Sequence, residues 1–107
     1  MGGIFRSPVL VPVKSIAAAT TLSPNDSGVI LVANTGTMTI TLPPAAVSRG
    51  VNYKFIKTTA AASAITLDGN ASETINGATT SALMNAQWEA TEIVCDGSAW
   101  YIVGTAS

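Results

Sequence analysis

The chain has 107 residues, 48% hydrophobic and only 10% charged, with a formal net charge of −1. One domain around one hydrophobic core fits that length, and the near-neutral balance excludes a global field drawing it to nucleic acid or anionic lipid. With no histidine and a single cysteine, Cys95, the sequence lacks an internal disulfide, the usual zinc ligands and the base of a Ser-His pair.

Residues 1–16 stand apart. Pro8 and Pro12 each remove a backbone donor and hold their predecessors extended. Around them lie Ile4, Phe5, Val9, Leu10, Val11 and Val13, with Arg6 and Lys14 as the cations. A disordered tail would be polar, so this pattern predicts an extended N-terminal arm that docks on a partner through these eight residues. Pro8, Pro12 and Lys14 break the apolar run, so neither a signal peptide nor a membrane span is expected.

The remainder, residues 17–107, reads as an all-β domain. Ser23-Pro24-Asn25-Asp26-Ser27-Gly28 is dense in turn formers, and Val29-Ile30-Leu31-Val32-Ala33 is a short apolar strand. Asn34-Thr35-Gly36 then turns the chain into Thr37-Met38-Thr39-Ile40-Thr41-Leu42, which alternates with Met38, Ile40 and Leu42 facing inward. Together these two strands predict a hairpin. After Pro43-Pro44 and one helical turn, Val51, Tyr53 and Phe55 form the next inward face, with Lys54 and Lys57 expected toward solvent. Residues 58–63 are a small-residue loop, Ile65-Thr66-Leu67 a short strand, and Asn76-Gly77 a turn. The end reads as a hairpin with arms at residues 88–95 and 99–103, joined by Asp96-Gly97-Ser98. Turn signals recurring every 8–12 residues or so predict a small antiparallel β-sandwich or barrel-like domain. The expected core holds Met38, Ile40, Leu42, Tyr53, Phe55, Ile65, Leu67 and Ile102.

No chemical site emerges. Asp26, Asp68 and Asp96 lie in or beside turns, where carboxylates bond the local backbone. Glu89 and Glu92 are three residues apart, so on one strand they face opposite sides. Cys95 reads as a buried strand thiol with no neighbouring base to activate it. Trp88 and Trp100 form a conceivable sugar platform, though aromatics on a terminal hairpin are more often core or interface anchors. No catalytic, cofactor-binding or metal residue is therefore assigned, and no cofactor is expected. Soluble domains usually carry about 25% charged residues. A surface this poor in charge is expected to be covered by partners, with homo-oligomerisation adding stability.

From Thr20 to Thr105 the sequence resembles a small β-domain of tailed-bacteriophage structural proteins. The likeness rests on Thr-Leu-Ser-Pro-Asn-Asp-Ser-Gly, Thr-Ile-Thr-Leu-Pro-Pro, Tyr-Lys-Phe-Ile, Ile-Thr-Leu-Asp, Glu-Thr-Ile-Asn-Gly and the ending Cys-Asp-Gly-Ser-Ala-Trp-Tyr-Ile-Val-Gly. It implies a non-enzymatic virion protein, made in the host cytoplasm. A compact module fronted by an apolar arm is most similar to a capsid decoration, or cement, protein. Such a protein sits on the capsid exterior, binds the major capsid protein and clamps neighbouring subunits, and the resemblance implies trimers at local threefold positions. The alternative is a tail-fibre or baseplate module that binds a host receptor or glycan. Neither reading involves nucleic acid or membrane.

Overall fold

The computed structural model describes residues 11–106. Of the eight arm residues, Ile4, Phe5, Arg6, Val9 and Leu10 lie outside that range; Val11, Val13 and Lys14 lie within it.

The protein is all-β. Among the described residues nine strands run in chain order: β1 Val13–Ile16, β2 Thr20–Thr21, β3 Gly28–Val32, β4 Met38–Thr41, β5 Asn52–Lys57, β6 Ile65–Asp68, β7 Thr80–Met84, β8 Ala90–Cys95 and β9 Trp100–Ala106. The helical content described is two short 3₁₀ turns, Pro24–Asp26 and Ala45–Val47. The strands form a five-stranded sheet in the order β1-β3-β5-β8-β9 and a four-stranded sheet in the order β2-β4-β6-β7.

Successive strands from β1 to β6 alternate between the two sheets. Each pair β1–β2, β3–β4 and β5–β6 bends from one sheet into the other, and like strands stack in parallel: β1 on β3 on β5, and β2 on β4 on β6. The arrangement resembles three turns of a flattened coil. Antiparallel pairing enters only at the far side, where β7 joins β6, β8 joins β5 and β9 joins β8. The pairing is thus mixed, and an antiparallel order throughout does not hold.

The expected hairpin of β3 with β4 is overturned for a physical reason. Asn34 is not a solvent-facing turn residue but is 1% exposed. Its Nδ2 donates to the Gly36 carbonyl at 2.9 Å and the Ser63 carbonyl at 3.2 Å, and its Oδ1 accepts from Thr59 Oγ1 at 3.1 Å. The side chain ties its own corner to the following one, at residues 58–64, so the chain arches between sheets rather than folding back on itself. An Asn-X-Gly signal marks a change of direction; it does not specify which strand is met afterwards.

The core lies between the sheets. Ile30, Val32, Tyr53, Phe55, Ile93, Cys95 and Trp100 come from the five-stranded sheet, and Met38, Ile40, Ile65, Leu67 and Met84 from the other. Period-two alternation produces this division, visible in β5 as Tyr53 and Phe55 buried with Lys54 exposed between them. Seven of the eight expected core residues are buried, while Ile102 is partly buried and packed against the cluster. Tyr53 stacks on Trp100 with ring centroids 5.5 Å apart. The last hairpin forms as expected, turning at Gly97 with φ of +98°.

Lys57 departs from its expected place. It is fully buried at the end of β5, and its Nζ donates to the carbonyl and Oγ1 of Thr59 at 2.9 and 3.0 Å. Simple alternation from Phe55 puts Lys57 on the inward face, and the Thr59 oxygens partly replace its lost hydration.

Candidate interaction surface

The described end of the arm is part of the fold. The Pro12 carbonyl accepts a hydrogen bond from Val29 N at 2.9 Å, and Val13–Ile16 pairs in register with Val29–Val32. The close approach requires Gly28. With φ of +134°, a Cβ there would lie 2.5 Å from the Pro12 carbonyl oxygen. Lys14 is committed locally, its Nζ 3.1 Å from Asp26 Oδ1. Val11 and Val13 keep exposed apolar side chains, 57% and 62% accessible. β1 is also an edge strand of the larger sheet, with one side of its backbone unpaired by any described strand.

Other exposed apolar groups are Val47, Trp88, Tyr101 and Val103. Trp88 is the most unusual. It lies in the β7–β8 turn, not on a strand, with φ of +73° and 64% of its surface accessible. A bulky residue rarely adopts that backbone. Its N–H donates to the Lys57 carbonyl at 2.7 Å, while Glu89 Oε1 accepts from the backbone N–H groups of Asn85 and Ala86 at 2.8 and 3.0 Å. Gln87 Nε2 reaches the Thr58 carbonyl at 3.1 Å. The turn is therefore pinned on both sides and holds the indole outward. Trp100 is fully buried, so the two tryptophans do not form a shared platform.

Most of the carboxylates have local structural roles. Asp26 Oδ2 accepts from Ser23 N at 2.9 Å; that bond and Lys14 hold its carboxyl below the usual range, outweighing partial burial. Asp96 Oδ1 accepts from Ser98 N and Ala99 N at 2.8 and 2.9 Å, and these bonds lower its pKa as well. Glu73 Oε1 accepts from Ala45 N at 3.0 Å, and Glu92 Oε2 from Asn52 Nδ2 at 3.0 Å. These groups terminate turns and steady strands, as the turn chemistry of the sequence predicts for Asp26 and Asp96. Among the described residues, no group of three or more His, Cys, Asp or Glu could hold a metal ion. Burial pushes the Cys95 thiol up, against the lowering effect of the Gly97 N–H, and thereby suppresses the nucleophilic thiolate.

Sequence reasoning missed the exposed presentation of Trp88 and the burial of Lys57. The alternation of β5 signals the second; nothing local in the sequence signals the first, because Trp88 and Gln87 are anchored on Lys57 and Thr58, far away in sequence. No family model matches the chain, and no curated protein gives a significant match.

Proposed function

We propose that this chain is a non-enzymatic structural protein of a tailed-bacteriophage virion, a decoration or cement protein that packs on the capsid exterior and clamps neighbouring subunits of the major capsid protein. In this reading the two sheets act as one sandwich-like knob, and residues 1–10 extend the clamp from β1. The observation that carries it is exposed apolar surface on a framework with little charge: Val11 and Val13 beside an open sheet edge, and Tyr101 and Val103 on the opposite edge strand. Open edges and apolar patches of this kind are suited to strand addition and to burial against another protein. Turn-capping roles for most of the carboxylates further favour a structural task over a catalytic one. The protein works as a homo-oligomer, with several arms engaging together through effective concentration; a trimer on local threefold positions is the form the family resemblance suggests.

The test is an add-back. Particles lacking the protein are mixed with the full chain or with a form lacking residues 1–10, then sedimented. This truncation spares Pro12 and β1, whose bonds to β3 belong to the domain. The full chain should pellet with particles and the truncated form should remain in the supernatant while keeping its β-sheet circular dichroism. Equal sedimentation of both forms would refute the clamp.

Trp88 supports a second reading, a receptor- or glycan-binding tail module, because an indole held outward beside Gln87 and Asn85 suits stacking on a sugar face. Glycan-array binding abolished by Trp88→Ala would favour it over the decoration role.

A further inference from the structure

We propose that the outer face of the five-stranded sheet is where a second copy of this chain packs, through a reciprocal pairing of Lys54 with Glu92. This deepens the oligomeric part of the proposed function and rests on it; a two-fold contact pairs copies, so it joins two trimers rather than building one.

Alternation places Lys54 and Ile56 of β5, and Ala90 and Glu92 of β8, on the side of the sheet facing away from the core. The register sets Lys54 beside Glu92 and Ile56 beside Ala90, and continues them to Gly104 and Ala106 on β9. On the other side β3 adds Val29 and Leu31, partly exposed and aligned with Lys54 and Ile56.

At the level of these residues the face therefore has two unlike halves. β3 and β5 carry the large aliphatic side chains Val29, Leu31 and Ile56. Opposite them β8 and β9 carry Ala90, Gly104 and Ala106, and a trough of about 300 Å³ is lined by Lys54 and Ile56 as well as by these small residues; the larger Val94 and Tyr101 lie farther along β8 and β9, level with Asn52. Charge follows the same division: Lys54 stands on one half and Glu92 on the other. Both have capacity for a further partner. Lys54 makes no ion pair among the described residues, where Lys14 with Asp26 is the pair formed, and Glu92 accepts a single side-chain bond from Asn52.

These halves are complementary to each other under one operation. A two-fold axis running along the strands, midway between β5 and β8, lays β5 over β8 of the copy and β3 over its β9. Lys54 then faces Glu92 twice. Ile56 faces Ala90, Leu31 faces Ala106 and Val29 faces Gly104, each also twice. Large side chains meet small ones across the roughly 10 Å between facing sheets, and the same patch serves both copies, as an isologous interface requires. An unrelated partner would need no such match between the halves.

The experiment is sedimentation velocity over a concentration series, with the full chain, Lys54→Glu, Glu92→Lys and the double reversal. The wild type should form a reversible dimer, or a higher oligomer containing this contact. Each single reversal sets like charges opposite each other and should weaken the dissociation constant by about tenfold or more. The double reversal should restore it to within about threefold of wild type. Circular dichroism checks the fold; Lys54→Glu, at an exposed position, serves alone if Glu92→Lys fails to fold. A monomeric wild type at high concentration, assembly indifferent to the single reversals, or a double reversal without rescue would each overturn the inference. Indifference with assembly and particle binding intact would leave the proposed function standing on another face. An intact charge-dependent dimer that fails to bind particles would sink the function instead.

Discussion

Replacing Asn34 with alanine should unfasten the corner that sends β3 and β4 into different sheets. The side chain is 1% exposed and makes three hydrogen bonds, to Gly36 O, Ser63 O and Thr59 Oγ1. A buried neutral hydrogen bond contributes about 0.5–1.5 kcal/mol net, more where a partner is left unsatisfied. Water can reach the half-buried Ser63 and exposed Gly36, which holds the total to about 2–3 kcal/mol by the same reckoning. At about 5 °C per kcal/mol for a domain of this size, the melting temperature should fall by about 10–15 °C. Urea unfolding followed by Trp100 fluorescence measures the loss, in a Trp88→Phe background so that the exposed indole does not contribute. The denaturant slope should be unchanged, because the surface exposed on unfolding is unchanged. Asn25 is an exposed turn residue, and Asn25→Ala is the control, expected to cost less than about 0.5 kcal/mol. If Asn34→Ala costs no more than Asn25→Ala, the corner is not held by this side chain and the explanation for the arch fails.

The two tryptophans should respond oppositely. Trp100→Ala removes a fully buried ring stacked on Tyr53 and should cost about 3–5 kcal/mol; Trp88→Gly relieves a positive φ and should be neutral or stabilising by up to about 1 kcal/mol, both read by chemical denaturation. Thr91 Oγ1 is buried without a hydrogen-bond partner among the described residues, so Thr91→Val should stabilise by about 1 kcal/mol, and a loss of that size would reveal a partner for the hydroxyl. Acid should weaken the fold. Asp26 and Asp96 have lowered pKa values, so their contribution is present above the ordinary value of 3.8 and is lost as pH falls through the folded values. Thermal melts should be insensitive to these groups between about pH 5 and 7, decline below about pH 4, and decline less steeply in Asp26→Asn.

The parts of the fold legible in the sequence are those governed by local pattern. Alternation located the inward faces of β4 and β5, and Asp96-Gly97 located the last turn, because each depends on neighbouring residues alone. Strand partnership was not legible. Asn34 resembles a hairpin turn until Ser63 and Thr59, 29 and 25 residues onward, accept and supply its hydrogen bonds. Likewise Val13 and Lys14 read as part of an arm that docks on a partner, since nothing in that segment declares its pairing with Val29 and Ile30. The proposed interaction surface has its sequence signal in composition, a chain poor in charge, and none that gives its place. The two halves of the outer face are built from residues 34 (Ile56 and Ala90) to 75 (Val29 and Gly104) positions apart and exist only once β3, β5, β8 and β9 lie side by side.

The most direct measurement of the proposed role is the position of the protein on intact virions. Antibody raised against the β-domain, coupled to gold and viewed by electron microscopy, should label heads over their whole surface at many sites per particle and leave tails bare. Label confined to tails or fibre tips, or particles with none, would contradict the decoration role.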